Sequence, residues 1–245
     1  MKELEFVKTT KRGDKNKLVR LAQEWLCLSD FSVMVDGDFG PGTELAVTRY
    51  QKKAKLPESG QVDQATWDAL VAPMREVLQP LAAGSKSLRQ LVVAYAERHL
   101  ARHPREVGGE NSGPWVRLYM NGAEGPAWPW CAGFATYVLK QASDTLGVPA
   151  PLPRVFGCDS LAGLAQAKGI LLQTKSPADY AKVEAGTLFL VRKSAFHWQH
   201  IGIVTQVQGD AMVTIEGNTN DDGVPEGFEV CRRSRALKDR DFLLV

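Results

Sequence analysis

Apolar residues recur at helical spacing along the chain until about residue 170, and at alternate positions from Gly186 onward. Leu18, Leu21, Ala22, Trp25 and Leu26 form one stripe, which predicts an amphipathic helix from about Asn16 to Leu28. A turn-rich stretch follows, Val35-Asp36-Gly37-Asp38-Phe39-Gly40-Pro41-Gly42-Thr43, and Thr43 can cap a second helix that runs to about Lys53. Leu56-Pro57-Glu58-Ser59-Gly60 breaks that helix, and Asp63 can cap a third over Gln64 to Val71. Proline, glycine and serine between Pro73 and Ser87 read as a linker overlapped by a short helical stretch, Met74 to Gln79. Further helices are expected over Leu88 to His99, from Pro129 to about Gln141, and over Asp159 to Ala167.

From Gly186 the period becomes two. Strands are expected at 187–191, 201–207, 211–215, 228–232 and 242–245. Helices first and antiparallel strands afterwards imply an α+β fold. The breaks divide the chain into a three-helix module over 1–73, a linker over 74–86 and a larger domain over 87–245.

Bulk properties narrow the function mainly by exclusion. Of 245 residues, 44% are hydrophobic and 24% charged, ordinary values for a globular protein. The net charge of +2 makes no case for nucleic acid or an anionic membrane as partner. No stretch approaches the roughly 18 apolar residues needed to span a bilayer, and the first residues carry no apolar core of a secretory signal. Cys27, Cys131, Cys158 and Cys231 show no CxxC or Cys/His metal spacing, so neither a disulfide framework nor a zinc site is expected. Cys27, Cys158 and Cys231 read as small buried apolar residues.

Cys131 differs because of where it stands. In Trp128-Pro129-Trp130-Cys131-Ala132-Gly133-Phe134, Pro129 suits the first turn of a helix, so the thiol sits at a helix N-terminus. Unpaired N–H groups and the positive end of the helix dipole there favour thiolate over thiol, and can stabilise an oxyanion. His200 heads one strand and Glu216 and Asn218 end the next. A three-residue connection, Gln208-Gly209-Asp210, would pair Val207 with Ala211 and so set Gly202 opposite Glu216 and His200 opposite Asn218. Imidazole, carboxylate and amide then share a face, with Cβ separations of about 4.5–8 Å. A two-residue turn at Gly209-Asp210 would put them on opposite faces. The apolar pattern favours the first register. Thiol, imidazole and orienting group together are the parts of a cysteine hydrolase.

Other residues have two readings. His197, three before His200, falls in a loop where it could face substrate. Trp115, Trp128 and Trp130 either line a cleft or pack in the core. Arg232-Arg233-Ser234-Arg235 reads as a solvated strand end, or as a contact to an anionic polymer. Phe39 and Trp67 suit the core of a small module, and no compact acidic loop calls for calcium.

Two resemblances give these patterns a common object. From about Lys8 to Ala72 the chain resembles the peptidoglycan-binding type 1 domain, through Gly13, Val19 to Gln23, Val35-Asp36-Gly37, Phe39-Gly40-Pro41, Thr43-Glu44, Tyr50-Gln51, Leu56-Pro57, Gly60 and Ala65-Thr66-Trp67. The resemblance implies a wall-binding module, with Asp36, Phe39 and Tyr50 as candidate contacts. From about Leu88 to Val245 the chain resembles the CHAP family of cysteine- and histidine-dependent amidohydrolases/peptidases. The matching pieces are Glu106-Val107-Gly108-Gly109-Glu110-Asn111-Ser112-Gly113, Pro129-Trp130-Cys131-Ala132-Gly133-Phe134, Gly186-Thr187-Leu188-Phe189, His200-Ile201-Gly202-Ile203-Val204 and Glu216-Gly217-Asn218-Thr219. The family usually has Asp where Thr187 stands. This resemblance implies a papain-like fold and cleavage of a peptidoglycan amide, either N-acetylmuramoyl-L-alanine or a peptide bond. Cys131 would be the nucleophile, His200 the base and acid, Glu216 the group orienting the imidazole, and Asn218 a further polar group. Glu110, Asn111, Trp115, Trp130 and His197 would contact substrate. The expected agent is a phage endolysin acting on the wall after release. The alternatives are a delivered antibacterial effector, a non-catalytic wall-binding protein, or a peptidase acting on proteins. No cofactor, metal, nucleic-acid partner or stable membrane insertion is expected, and the chain is expected to be a monomer.

Overall fold

The computed structural model describes residues 2–220 and 227–245. Three helices come first: α1 (Lys17–Leu28), α2 (Pro41–Lys53) and α3 (Gln64–Leu78). Asn16 caps α1 as expected, its Oδ1 accepting from the N–H groups of Leu18 and Val19 at 2.9 and 3.2 Å. Asp63 likewise caps α3 through the Thr66 N–H at 2.8 Å. Thr43 does not cap α2. Gly40 holds that position and Pro41 opens the helix, because the ring presets φ and its missing N–H costs nothing in a first turn. Thr43 sits buried one turn inside and accepts a hydrogen bond from Gln23 Nε2 at 3.1 Å. The same Gln23 accepts from the Gly37 N–H at 2.8 Å, so one buried amide ties α1 to the turn that carries Asp36.

The third helix is longer than its sequence suggests. It passes through Pro73 and ends at Leu78, uniting the two pieces read separately. Met74 and Val77, beyond the proline, are fully buried, and their apolar area holds the last turn against the cost of the lost hydrogen bond. Only residues 79–87 connect it to α4 (Leu88–Leu100), and the Leu81 N–H in that stretch donates to Tyr95 Oη at 2.8 Å.

Next come α5 (Pro114–Tyr119), α6 (Cys131–Leu146) and α7 (Cys158–Ala167). The strands are β1 (Leu171–Gln173), β2 (Leu188–Ser194), β3 (His197–Gln208), β4 (Ala211–Thr219), β5 (Glu229–Ala236) and β6 (Arg240–Leu243). They form one antiparallel sheet in the order β1-β6-β2-β3-β4-β5. The architecture is α+β. The strand β1 has no period-two signature, since three residues cannot carry one, and the periodic reading missed it.

The β3–β4 hairpin corrects the expected turn and keeps the expected far register. Gln208 pairs with Ala211, so the turn is the two-residue Gly209-Asp210 connection. Thr205 is then an extra residue between Val204 and Gln206, a β-bulge that restores the pairing of Ile203 with Ile215. Beyond the bulge Gly202 lies against Glu216: a Cβ on Gly202 would stand 2.6 Å from Glu216 Cγ. Two offsets of one residue cancel, and His200 and Glu216 share a face.

Ile201, Ile203 and Ile215 belong to the large core under the helices, while Phe189, Val204, Met212 and Phe242 form a smaller core. The large core is continuous from Val19 in α1 to Leu243 in β6. Trp25 of α1 meets Trp115 of α5 edge-on at 6.2 Å between ring centroids. Gln141 Nε2 of α6 donates to the Val77 carbonyl of α3 at 2.8 Å. Arg117 of α5 binds Glu3 (2.8 Å), Glu24 (2.6 Å) and Glu124 (2.6 Å). The first three helices are therefore packed against the larger unit through core and ion pairs.

Candidate active site

Cys131 is the first residue of α6, with Trp130 preceding it as cap. The helix thus starts two residues later than the Pro129 reading. Trp130 makes no side-chain capping bond, so the first N–H groups of α6 stay open toward the thiol. The Trp130 indole N–H donates instead to Glu106 Oε1 at 2.8 Å, which pins the helix start to the preceding loop. Gly217 lets β4 lie close to that start, since a Cβ there would come within 2.8 Å of both Trp130 and Phe134.

The imidazole of His200 hydrogen-bonds to Glu216 on one side, Nε2 to Oε2 at 2.8 Å, and to the Cys131 thiol on the other. Glu216 is fully buried and saturated with donors. Thr214 Oγ1 gives one hydrogen bond at 2.5 Å, and Arg235 gives two at 2.6 Å in a fork across both carboxylate oxygens. Burial alone would raise the Glu216 pKa, but Arg235 and His200 outweigh it and bring it down to about 2. Burial likewise works against the His200 cation, yet the bonds to Cys131 and Glu216 lift its pKa to about 9. Cys131 lies well below the ordinary thiol value, through the hydrogen bond from Cys158, the His200 cation and the Ala132 N–H. The geometry is a hydrogen-bonded row from carboxylate to imidazole to thiol, and the raised imidazole and lowered thiol values favour its imidazolium–thiolate form.

Asn218 lies two residues beyond Glu216 on β4, at φ +57°. Its side chain is buried and its Oδ1 finds no partner among the described residues. His197 is the first residue of β3 rather than part of a loop. It is exposed and its Nδ1 lies 3.0 Å from Asp159 Oδ2, while Asp159 Oδ1 accepts from the Trp198 N–H at 2.7 Å. These residues line a groove of about 580 Å³ with Lys193, Ser194 and Gln199.

Burial corrects the aromatic candidates. Trp115 and Trp130 stack on the two sides of Tyr119 and are 1% and 0% exposed, so they are core and offer substrate no surface. Trp128 is the tryptophan with an open face, 41% exposed. Glu110 is exposed, whereas Asn111 is buried at φ +46° with its N–H on Glu106 Oε2 at 2.7 Å, a turn-forming role. In the first module Phe39 is fully buried and Tyr50 nearly so, which removes both as wall contacts. Asp36 is exposed and borders a groove of about 580 Å³ lined by Lys15, Asn16, Lys17, Arg20, Gly37 and Asp38.

Two participants escaped the sequence reading. Arg235 reads as solvated but is folded over Glu216. Cys158, read as an inert core residue, has its Sγ 3.8 Å from Cys131 Sγ. Among the described residues no cluster of His, Cys, Asp and Glu could hold a metal ion.

Residues 15–70 match the family model described as "Putative peptidoglycan binding domain". The match covers α1, α2 and about the first half of α3, and peptidoglycan is the partner it assigns to this module. Among solved structures, a peptidoglycan-binding protein from Clostridioides difficile, determined in complex with glutamine hydroxamate, is 40% identical. That alignment covers 26% of this chain and 40% of the other, with a TM-score of 0.26. No curated protein matches the chain. The chain thus contains both a peptidoglycan-binding module and a cysteine–histidine–glutamate row. No helix among the described residues is long and apolar enough to cross a membrane.

Proposed function

We propose that the chain is a peptidoglycan hydrolase that cuts an amide bond of the cell wall. The observation that carries this reading is the Glu216–His200–Cys131 row at a helix N-terminus, in a chain whose first module matches a peptidoglycan-binding family. The CHAP-like motifs around Cys131, His200 and Glu216 support the same chemistry.

The Cys131 thiolate attacks the carbonyl carbon of the amide, and the oxyanion forms beside the open N–H groups at the start of α6. His200, held as an imidazolium by Glu216, protonates the leaving amine. An acyl-enzyme remains, and neutral His200 then takes a proton from water as it attacks the thioester. Glu216 keeps the imidazole's orientation throughout and stays ionised, because Arg235 and Thr214 saturate it. The groove lined by Asp159 and His197 is the proposed seat of a polar stem peptide. The first module holds the polymer and raises the effective concentration of the bond at the thiol.

Purified sacculi provide the test. The wild-type protein should lower their turbidity, and Cys131→Ala should abolish clearing while still co-sedimenting with them. Undiminished clearing by a folded Cys131→Ala would overturn the reading. Mass spectrometry of the soluble fragments names the bond: new amino groups mark amide cleavage, and free lactyl groups mark the muramoyl–alanine bond. An endolysin and a delivered effector would share this chemistry.

A further inference from the structure

The row from Glu216 to Cys131 uses one cysteine, yet a second lies against it. Cys131 opens α6 and Cys158 opens α7, so two helix N-termini present their first side chains to each other. Neither helix has a side-chain cap, so both thiols stand among open N–H groups; Cys131 is held toward the anion, while the hydrogen bond to Cys131 and burial keep Cys158 a thiol. The two Sγ atoms are 3.8 Å apart. A disulfide needs about 2.05 Å, so closure requires a movement of about 2 Å. Cys158 follows the irregular stretch 148–157 and is preceded by Gly157, so its side of the pair has loop backbone with which to move. Cys27 is engaged elsewhere, its thiol 3.3 Å from the Val33 carbonyl, and Cys231 lies on β5.

A nucleophilic thiolate needs no second thiol for amide hydrolysis. Its usefulness is to oxidation chemistry. A thiolate beside an imidazolium is the sulfur most open to peroxide, and the fate of the resulting sulfenic acid depends on whether another thiol is within reach.

We propose that Cys131 and Cys158 form a redox-active pair, in which a peroxide oxidises Cys131 and Cys158 then closes a reversible disulfide over the nucleophile. In the first step the Cys131 sulfur attacks one peroxide oxygen; the S–O bond forms, the O–O bond breaks, and hydroxide leaves. Sulfur loses two electrons and the peroxide gains them. In the second step the Cys158 sulfur attacks Cys131; the S–S bond forms, the S–O bond breaks, and the departing hydroxide leaves as water with the Cys158 proton. A dithiol reductant reverses the link by two exchanges and restores both thiols. The link itself depends only on the thiol geometry. Its consequence, loss of hydrolysis, rests on the function proposed above.

The experiment exposes the full chain to a several-fold molar excess of hydrogen peroxide, blocks remaining thiols with N-ethylmaleimide in denaturant, and maps unreduced peptides by mass spectrometry. The expected product joins the Cys131 and Cys158 peptides and is two hydrogens lighter than their sum. Dithiothreitol should remove the link and restore sacculus clearing to the untreated level. In Cys158→Ser, the same treatment should carry Cys131 on to sulfinic acid, and dithiothreitol should recover none of the activity that peroxide removed. Sulfinic acid on Cys131 of the wild type with Cys158 still alkylatable would overturn the proposal, as would a link from Cys131 to Cys27 or Cys231. The wild-type map decides the matter even if Cys158→Ser fails to fold. A reversible Cys131–Cys158 link in a protein that never clears sacculi would sustain the pair and refute the hydrolase instead.

Discussion

At the scale of single residues, Arg235 shows how a site depends on groups that never meet a substrate. Its fork neutralises a carboxylate that is otherwise buried. Arg235→Met should leave Glu216 without its main counter-charge, at a cost of about 3–5 kcal/mol by chemical denaturation. Arg235→Lys should recover only part of this, since a single ammonium cannot span both oxygens. Equal stability of all three proteins would refute the clamp. The pH response also belongs to this scale. His200 carries its proton up to about pH 9, where the pair with Cys131 loses the acid that protonates the leaving amine. Hydrolysis should therefore hold from neutral pH toward 9 and fall above it, and an alkaline limb near 7 would contradict the ion pair. Cys131, His200 and Glu216 were legible in the chain because their motifs are local. Arg235 and Cys158 were not, because each reaches its partner from a different element and nothing in the neighbouring sequence marks the meeting.

At the scale of elements, the β3–β4 hairpin turns on one residue. Apolar alternation pointed to the correct face for His200 and Glu216, while the assumed three-residue turn was wrong. Turn chemistry at Gly209-Asp210 favours two residues, and the Thr205 bulge compensates. Deleting Thr205 should remove that compensation and slip β3 by one residue against β4. His200 and Glu216 would then lie on opposite faces, and Ile201 and Ile203 would leave the main core. Loss of clearing together with a lower midpoint in denaturant is the expected result; a stable, active deletion would mean that the bulge simply moves. The third helix carries the same lesson in reverse. Pro73 is a reasonable stop signal, and burial of Met74 and Val77 overrides it.

For the whole molecule, the question is how the peptidoglycan-binding module relates to the site. The segment read as a linker over 74–86 begins as the last part of α3, through Leu78, and is tied to α4 by the Leu81 N–H on Tyr95 Oη, and the module shares a core with the rest of the protein. Arg117 bridges the two parts, holding Glu3 and Glu24 from one side and Glu124 from the other. Calorimetry should therefore find one cooperative transition rather than two. Arg117→Ala leaves the buried Glu24 with Arg20 alone as counter-charge, at 3.2 Å, which should cost about 1–3 kcal/mol or split the transition. An unchanged single transition would show that the ion cluster contributes nothing to docking. In the proposed hydrolase, a docked module would hold its polymer at a set distance from Cys131, coupling binding and cleavage in geometry as well as in concentration.

By itself the sequence determined the order of most of the elements, the change from helical to alternating period, a first module over residues 1–73 and the three residues of the row. Each of these is written in short-range spacing, which backbone periodicity converts directly into faces. Tertiary structure alone decided which aromatics are core, that Arg235 clamps Glu216, that α3 continues through Pro73 to Leu78, and that Cys158 lies beside Cys131. Those outcomes depend on contacts between residues distant in the chain, where burial and close packing choose among partners that local pattern leaves equivalent.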